Sequence, residues 1–563
     1  MTASAQKYPE YGLLVSEIAQ VISAFGVRQC FGVVGSYNFT VTDALIKSGI
    51  RFTAARHECG AVVMADVYGR LSGELAVASL HSGPGLTNAA TGIAEAAKSG
   101  TPLLVLAGDA DAGAIHSNFF FEQAEFVRSL GAVSERIHTA ETALQDVLRA
   151  ASRAAHGGQT VVLSMPLNVQ NSVLQADTVL PKVPPKSSRA FPDPTMVGIV
   201  VDKITRSSRP LILAGRGAVT AGAKKQLTAL GDRIGALFAT TVRSHGIFSG
   251  SPWSLGISGG FSSPAAQELI PQSDLVLVFG AGLTRWTTRE GKMFSHDACI
   301  VQIDNNRGRL GQRHPVHFPI FADAACAAES LLSELENRGV STSAGWRSGA
   351  IERSIAEGDG LNATYVEASG DDFLDPRTVS RAINDIVPKD RIVVTDAGHF
   401  AGWVPQYLKI QGENSWCMPL SFQSIGLGLP AAIGASVSQP DRLVVLAAGD
   451  GGFAMSLAEL ETAVRLKCRI CIFIYDDSGY GAEVHHFGRL GYSTQMVEFP
   501  DVDFAKIARG HGADGCVVRS LADLGPLREW VDLGARGVFV VDAKINRSLE
   551  AQWHRDAFGS HKS

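Results

Sequence analysis

The chain has 563 residues, which is too long for one hydrophobic core and predicts about three domains of common size. Its composition is 45% hydrophobic and 19% charged, as in globular proteins, and its net charge of −5 excludes nucleic acid or a membrane surface as the main partner. Eight cysteines, a polar start from Met1 to Glu10 and no apolar run long enough to span a bilayer lead us to expect a reduced, cytoplasmic protein.

Two polar segments predict where the domains meet. "PKVPPKSSRAFPDP", from Pro181 to Pro194, is rich in Pro and Ser and is typical of an exposed linker. A second polar stretch runs from about Glu336 to Asp372. We therefore predict an N-terminal domain over residues 1–182, a central domain over 192–340 and a C-terminal domain over 370–563.

Each domain alternates short apolar runs with helix-like segments. In chain order the runs include "LAVASL" and "PLLVLAG", then "PLILAG", "DLVLVFG" and "CIVQID", and finally "RIVVTDAG", "RLVVLAAGDG" and "CRICIFIYDD". Continuous apolar runs that end in Gly or Asp are typical of parallel strands covered on both faces. The pattern predicts an α/β fold with three doubly wound parallel sheets, whose ligands bind at the carboxyl ends of the strands.

One such strand end in the last domain carries the sequence "GDGGF", from Gly449 to Phe453. The glycines allow a tight turn, and we predict that a helix starts near Ser456 with Glu459 at capping-box spacing. The free N–H groups at that helix start suit a phosphate, against which Asp450 could hold a divalent cation. The alternative interpretation is an ordinary strand-ending turn.

The neighbouring strand "RICIFIY" delivers further oxygen ligands to the same edge. Asp477 and the carbonyl of Gly479 follow it directly. Mg²⁺ takes about six oxygen ligands, often a few carboxylates with substrate phosphate. The two strand ends therefore predict a magnesium–phosphate site.

This spacing of Gly-Asp-Gly, a doubled residue and Gly-Tyr-Gly resembles the cofactor signature of thiamine diphosphate enzymes. "RHECGAVVMADVYGR", "HSGPGLTNAATGIAEA" and "SIGLGLPAAIGA" extend the resemblance over roughly residues 10–550. They are similar to the acetolactate synthase, 2-oxoacid decarboxylase and carboligase branch. The resemblance implies a pyrimidine-binding first domain, a central domain and a diphosphate-binding third domain. It also implies thiamine diphosphate and Mg²⁺ as cofactors.

The resemblance also implies roles for individual residues. Glu58 would hydrogen-bond N1′ of the aminopyrimidine and activate the cofactor, Ile425 would bend the cofactor, and the carbonyl of Gln423 would bind the 4′-amino group. The metal ligands would be Asp450, Asp477 and the carbonyl of Gly479. The diphosphate would lie against Gly398, His399, Phe400, Gly449, Gly451, Gly452 and Phe453.

The chain departs from the family at the metal motif. The family's doubled Asn is Asp476-Asp477 here. Asp477 can still supply an oxygen to the metal, but it adds a negative charge beside the diphosphate. We therefore expect Mg²⁺ to bind, with an affinity that differs from that of the family.

The substrate-side residues implied by the resemblance divide between two chemistries. Gln123 matches a residue near the reacting carbon in acetolactate synthases, which favours carboligation. His116 and Glu483 match positions of pyruvate decarboxylases, which favours protonation. His486 lies in "EVHHFGR", where a Glu and a His could relay protons, and the alternative for that segment is a solvated helix face.

The expected function is decarboxylation of a small 2-oxoacid, with pyruvate as the first candidate, and transfer of the acyl carbanion to a second carbonyl. The alternatives are a non-ligating decarboxylase, a C–C bond lyase or hydrolase of the same family, and an inactive cofactor-binding homologue. FAD could bind "LILAGRGA" and "FGAGLTRWTT" in the central domain, although these glycine-rich strand ends are also routine turns. We expect a homodimer or homotetramer with the active site at the subunit interface, as in the family.

Overall fold

The computed structural model of the protein describes residues 13–174, 179–185 and 188–558. The polar start from Met1 to Glu10 therefore lies outside the described residues. The structure contains three six-stranded sheets in which every strand pair is parallel, with helices between the strands. This confirms the predicted α/β class. Within the described part of the chain, no helix is both long and apolar enough to cross a membrane.

The first sheet is built from residues 29–166. Its strands are β1 (Gln29–Gly32), β2 (Arg51–Ala54), β3 (Ala76–Leu80), β4 (Leu103–Asp109), β5 (Val133–Arg136) and β6 (Thr160–Pro166). Its helices are α1 (Leu14–Ser23), α2 (Phe39–Lys47), α3 (Glu58–Ser72), α4 (Pro84–Asn88), α5 (Ala90–Ser99), α6 (Gln123–Ser129), α7 (Ala143–Ala155) and α8 (Leu167–Gln170). The strand order is β2–β1–β3–β4–β6–β5. Alternate residues of β3 and β4 enter two different hydrophobic cores, so both faces of the sheet are covered.

The central sheet has the strand order of a dinucleotide-binding fold, β12–β11–β10–β7–β8–β9. Its strands are β7 (Pro210–Ala214), β8 (Leu237–Thr240), β9 (Ser254–Ile257), β10 (Leu275–Phe279), β11 (Cys299–Asp304) and β12 (Phe318–Phe321). Its helices are α9 (Pro194–Arg206), α10 (Arg216–Thr220), α11 (Lys224–Ile234), α12 (Pro264–Leu269), α13 (Arg285–Thr288), α14 (Ala324–Asn337) and α15 (Gly349–Glu357). Trp346 and α15 pack on this sheet, so its core continues beyond residue 340 into the second polar segment.

The third sheet repeats the topology of the first, in the order β14–β13–β15–β16–β18–β17. Its strands are β13 (Arg391–Thr395), β14 (Trp416–Cys417), β15 (Leu443–Gly449), β16 (Ile470–Asp476), β17 (Asp514–Val518) and β18 (Val538–Lys544). Its helices are α16 (Pro376–Ile386), α17 (Val404–Tyr407), α18 (Gly428–Ser438), α19 (Asp450–Met455), α20 (Glu459–Arg465), α21 (Gly481–Arg489), α22 (Phe504–Gly510), α23 (Gly525–Asp532) and α24 (Gln552–Phe558).

The first and third domains share one hydrophobic core. Helix α3 of the first packs along α18 of the third, and one cluster of buried residues runs continuously through both. The helices approach so closely that a Cβ added at Gly434 would lie 2.3 Å from the backbone oxygen of Met64. Glycine at 434 is therefore a condition of this packing.

We expect Gly434→Ala to destabilise the protein, because the clash is with backbone and can be relieved only by moving α3 and α18 apart. The expected loss is about 1–3 kcal/mol, which is typical of overpacking, and thermal unfolding measures it. Gly510→Ala is the matched control, since Gly510 lies at the end of α22 and an added Cβ would meet no other part of the structure within 4 Å. An equal melting temperature for both variants would contradict the packing argument.

Candidate active site at the edge of the third sheet

Three strand ends of the third sheet bring acidic residues together. Strand β15 lies between β13 and β16, and the chain reverses its direction of travel across the sheet between β13 and β15. Asp396, Asp450 and Asp477 follow these strands. Such a reversal leaves a crevice at the carboxyl ends of the strands, where doubly wound sheets bind their ligands.

Asp450 and Asp477 form a pair of carboxylates with an unbalanced charge. Asp450 is only 6% exposed, and its Oδ2 accepts a hydrogen bond of 3.1 Å from the Gly479 N–H. Burial, and then repulsion by neighbouring carboxylates, raises the pKa of both aspartates. A divalent cation between them would remove that repulsion, so the pair fits Mg²⁺.

The side chains at this edge can supply only part of a metal ion's coordination shell, so they suit a metal that takes its remaining ligands from backbone, water or phosphate oxygens. Among the described residues, no three His, Cys, Asp or Glu side chains come close enough together to hold a metal ion. A cation on Asp450 and Asp477 would therefore complete its shell with backbone, water or phosphate oxygens. Mg²⁺ is commonly bound in this way.

Asp476, the other member of the doubled aspartate, forms an ion pair with Lys544. Lys544 is 6% exposed, and its Nζ lies 2.5 Å from Asp476 Oδ2, 2.6 Å from Asp501 Oδ1 and 3.1 Å from Asp542 Oδ2. Asp476 also accepts a hydrogen bond of 2.9 Å from the Ser478 N–H. Lys544 is shared by three carboxylates and offsets only part of the Asp476 charge. That charge still helps to raise the pKa of both Asp450 and Asp477.

The predicted helix start near Ser456 is wrong. Helix α19 begins at Asp450 itself, Ser456 follows its last residue, and α20 begins at Glu459 without a side-chain cap. The glycine-rich turn is thus already helical, and its first-turn N–H groups belong to Gly451, Gly452 and Phe453. The Phe453 ring is buried against Phe504, so only its backbone is available to a ligand.

Glu459 has a different role from the predicted capping box. Its carboxylate reaches into the first domain and accepts hydrogen bonds from the backbone N–H groups of Arg56 (3.1 Å) and His57 (3.0 Å). A Cβ added at Gly60 would lie 2.3 Å from Glu459 Oε1. A third-domain carboxylate therefore holds the start of α3. No local pattern in the sequence signals this contact, since its partners lie some four hundred residues apart.

Glu58 is the first residue of α3 and is half-buried. Its Oε2 accepts a hydrogen bond of 3.0 Å from Asn88 Nδ2 in the same domain. Within the described part of the chain it makes no hydrogen bond to the residues around Asp450.

The segment Gly398–Phe400 is held by the C-terminal end of the chain. His399 is 4% exposed, and its Nε2 accepts a hydrogen bond of 2.8 Å from the Ala551 N–H, which leaves the ring proton on Nδ1. Burial and the neighbouring His485 and His554 lower the pKa of His399, so its ring is neutral. Its Nδ1 has no partner among the described residues. This buried donor suits a diphosphate oxygen.

The other two residues of this segment offer only backbone groups. The Phe400 ring stacks on Tyr475 in the core, with ring centroids 5.1 Å apart. Gly398 has a φ of 144°, which favours glycine. Gly449 packs beneath the Phe400 ring, which lies 3.3 Å from the position of an added Cβ.

The segment with Gln423 and Ile425 is fixed from two sides. Asp396 is 1% exposed and accepts hydrogen bonds from the N–H groups of Ala397 (2.8 Å) and Gly426 (2.9 Å), and burial raises its pKa to about 6. Glu95 of the first domain accepts a hydrogen bond of 2.7 Å from the Phe422 N–H. Gln423 has a φ of 61°, a left-handed conformation that sets the direction of its backbone.

Sequence reasoning missed the role of Asp396. The available signal was its position, since it ends the strand "RIVVTD" next to the "GDG" strand. A Cβ at Gly452 would lie 2.6 Å from Asp396 Oδ2, so the side chain borders the first turn of α19. Asp396 is a positioning residue between the glycine-rich turn and the segment that follows Gln423.

The two substrate-side residues of the first domain, Gln123 and His116, differ in their exposure. Gln123 is 3% exposed; its amide donates to the Gly108 carbonyl (3.0 Å) and to Asp109, and accepts from Ser164 (2.8 Å). This environment favours a role in holding the ends of β4 and β6 rather than in touching a substrate. His116 is exposed in the loop after β4.

The segment "EVHHFGR" forms α21, directly after the metal loop. Glu483 is exposed in its first turn, and His485 faces His399 with ring centroids 4.4 Å apart. His486 turns instead toward Phe558, at 5.3 Å. His485 thus faces the Gly398–Phe400 segment, whereas His486, for which a proton relay was predicted, packs toward Phe558.

Three α/β domains, of which the first and third share a topology, together with this acidic sheet edge define a cofactor-dependent enzyme of the thiamine diphosphate class. The chain matches the thiamine pyrophosphate enzyme N-terminal TPP-binding domain over residues 14–129, the central domain over 197–333 and the C-terminal TPP-binding domain over 396–543. The chain belongs to the thiamine pyrophosphate enzyme family.

Curated relatives match the chain along nearly its whole length. A catabolic acetolactate synthase of Raoultella terrigena is 30% identical over 95% of this chain and 96% of its own. A sulfoacetaldehyde acetyltransferase of Rhodobacter capsulatus is 29% identical over 96% of this chain and 95% of its own. A probable sulfoacetaldehyde acetyltransferase of Rhizobium meliloti is 28% identical with the same coverage.

We expect Asp477→Asn to keep or improve Mg²⁺ affinity, because it lowers the repulsion on Asp450, and Asp450→Ala to weaken it by on the order of tenfold or more. Titration of the metal-free protein with Mg²⁺, followed by calorimetry, measures both. Equal, mild weakening in the two variants would show that Asp477 is not directed at the metal.

The same pair predicts how stability depends on pH. Its pKa values are raised, so the folded protein keeps protons that the unfolded chain releases near pH ~4, and the metal-free protein should lose stability as pH rises above that value. Asp477→Asn should flatten this loss in melting temperature between pH 5 and 8, and Asp385→Asn, at an exposed site, should not. Parallel curves for wild type and Asp477→Asn would contradict the raised pKa values.

Proposed function

We propose that the protein uses thiamine diphosphate and Mg²⁺ to decarboxylate a small 2-oxoacid, with pyruvate as the first candidate, and to transfer the acyl group to a second carbonyl. The observation that carries the proposal is the pair Asp450 and Asp477, whose unbalanced charge lies beside the first-turn N–H groups of α19. The acetolactate synthase among the relatives supports the choice of donor and acceptor.

Different residues of this chain would bind the Mg²⁺ ion and the diphosphate of the cofactor. Asp450, Asp477 and the Gly479 carbonyl would hold Mg²⁺. His399 Nδ1 would donate to the diphosphate, and so would the backbone N–H groups of α19. Thiamine diphosphate supplies the nucleophilic carbon and the electron sink that the reaction needs.

Glu58 would hold a proton at N1′ of the aminopyrimidine. The position of Glu58 at the start of α3 is fixed by the hydrogen bonds that Glu459 accepts from the backbone N–H groups of Arg56 and His57. The Gln423 carbonyl would bind the 4′-amino group, and the half-buried Ile425 would support the ring system. Glu483 and His485 are the nearest candidates for proton transfer to the product, because α21 follows the metal loop directly.

The active site would be completed by a second copy of the chain, which makes the protein a homodimer or a homotetramer. Large apolar side chains are exposed beside the third-domain site, including Met455 (57%), Tyr492 (65%) and Met496 (79%). Phe39 (62%) and Ile115 (60%) are exposed on the first domain. Exposed apolar residues of this size at a functional edge are typical of a protein interface.

A second candidate is an acetyltransferase that takes its acetyl group from sulfoacetaldehyde: the C–S bond breaks, sulfite leaves with the electron pair, and the acetyl group passes to an acceptor such as phosphate. The two relatives named sulfoacetaldehyde acetyltransferase favour it. In either case the presence of Glu58, Asp450 and Gly479 weighs against an inactive cofactor-binding homologue.

A flavin is not part of the proposal. The central-domain turns that could bind it pack against each other: a Cβ at Gly215 would lie 2.2 Å from the Gly280 oxygen, and one at Gly217 would lie 2.7 Å from Gly280 Cα. Their glycines thus serve the contact between β7 and β10. An absorption spectrum of the purified protein with flavin bands would contradict this.

The decisive assay incubates the holoenzyme with a panel of 2-oxoacids, each with and without aldehyde or 2-oxoacid acceptors, and with sulfoacetaldehyde plus phosphate. The proposal predicts release of CO₂ from a 2-oxoacid and a ligated product that depends on the acceptor. Acetyl transfer from sulfoacetaldehyde without CO₂ would favour the second candidate. Asp450→Ala is the inactive control.

We expect Glu58→Gln to leave the cofactor bound but to slow both C2 proton exchange of the bound cofactor and turnover by about 10²–10⁴-fold, because Gln cannot pass a proton to N1′. Deuterium exchange after rapid quench measures the first quantity. Glu329→Gln, an exposed residue of the central domain, should leave both unchanged. Near-normal exchange in Glu58→Gln with cofactor bound would overturn the assignment.

A mixed oligomer tests the shared site. When Glu58→Gln and Asp450→Ala chains are co-expressed, a hybrid dimer has one site with both changes and one site with neither, if each site takes Glu58 and Asp450 from different chains. We expect purified hybrids to regain about half of the wild-type activity per dimer. Hybrids as inactive as either parent would place both residues of a site in one chain.

A further inference from the structure

We propose that a cavity where the three domains meet binds a small phosphate-type oxyanion. The first domain contributes Arg70, the central domain Arg216, Arg243 and His245, and the third domain Trp416. The lining of the cavity includes none of Asp396, Asp450 and Asp477, and the proposed function assigns it nothing.

The cavity is small. Its volume is about 40 Å³, and one water needs roughly 10–15 Å³ on this measure, so it accommodates a group of a few heavy atoms. A complete dinucleotide needs a pocket on the order of 300 Å³ or more. The size therefore fits inorganic phosphate or a single phosphoryl group.

Two of the three arginines in the cavity have no carboxylate partner in the described part of the chain. Arg70 is paired with Asp66 and Glu95, whereas Arg216 makes no hydrogen bond or ion pair within the described residues. Arg243 donates only to the Ser99 carbonyl, at 2.9 Å, in that part of the chain.

The guanidinium groups of Arg216 and Arg243, which have no ion pair among the described residues, remain charged. Burial, and then the Arg70 cation, lowers the pKa of Arg216 to about 10, and burial followed by the Arg216 cation lowers that of Arg243 to about 9. Glu413 also lines the cavity but forms no ion pair with either arginine among the described residues. Both side chains are half-buried, and the three guanidinium groups repel one another, so an anion would relieve this arrangement.

Three hydrogen-bond donors on the cavity are also unused. Arg243 Nε, His245 Nδ1 and Trp416 Nε1 are buried and have no partner among the described residues. Burial lowers the pKa of His245 to about 4, so its ring is neutral and Nδ1 can carry the proton. Buried polar atoms are nearly always paired. Donors that come from two domains suit a tetrahedral anion, whose oxygens point in several directions.

Thermal unfolding of the holoenzyme in phosphate-free buffer, titrated with inorganic phosphate at constant ionic strength, tests the site. We expect phosphate to raise the wild-type melting temperature with saturation. Arg216→Met should weaken the response at least about tenfold, since a charged hydrogen-bonding partner is lost. Without phosphate, Arg216→Met should melt at or above the wild-type temperature, because it removes a cation that is repelled by Arg70.

Controls separate this site from the cofactor site and from surface effects. The phosphate response should persist in Asp450→Ala, where metal-assisted binding at the third-sheet edge is lost, and in Arg206→Met, an exposed position of the central domain. Trp416→Phe keeps charge and most of the volume, and should weaken phosphate binding several-fold. Trp416→Phe replaces Arg216→Met as the test variant if Arg216→Met fails to fold.

A parallel titration with ADP distinguishes free phosphate from a nucleotide phosphoryl group, and acetate tests for a preference for carboxylate. A response to ADP that is lost in Arg216→Met would assign the site to a phosphoryl terminus. A wild-type melting temperature unaffected by either phosphate source, or an equal shift in wild type and Arg216→Met, would overturn the proposal.

Discussion

The packing of α3 on α18 is the contact on which the rest of the structure depends. It joins the first and third sheets through one apolar core, and Gly434 allows the two backbones to approach closely. Two carboxylates extend the contact at its ends. Glu459 of the third domain holds the start of α3, and Glu95 of the first holds the segment before Gln423. Each domain thus positions a loop that belongs to the other.

The two proposed ligand sites, at the edge of the third sheet and at the junction of the three domains, both hold charged side chains that repel one another. At the third-sheet edge, Asp477 and Asp476 both repel Asp450, although Asp476 is paired with Lys544. At the three-domain junction, Arg216 and Arg243 repel one another, while Arg70 is neutralised by Asp66 and Glu95. In both places a compensated charge lies beside uncompensated ones. Destabilised groups of this kind are held by the surrounding core and are common at functional sites.

Much of the fold follows from the sequence because parallel strands buried on both faces leave continuous apolar runs, as in "RLVVLAAGDG". The acidic edge was predictable for the same reason, since Asp450 and Asp477 end neighbouring runs of this kind. Contacts between distant segments were not predictable. Glu459 looked like a local cap, and Gln123 matched a family position although its amide is occupied by Gly108 and Ser164. Side-chain direction depends on tertiary packing that no local pattern contains.

The shared core of the first and third domains has a consequence for how the chain is made. Domains tend to fold in the order in which they leave the ribosome, at about 5–20 residues per second. Helix α3 is translated several hundred residues before α18, and the central domain lies between them in the sequence. For on the order of tens of seconds, the side of α3 that packs on α18 has no partner within its own chain. Cells that produce this protein must protect that surface while translation of the third domain is completed, and a nascent first domain is the species most exposed to chaperones or to aggregation.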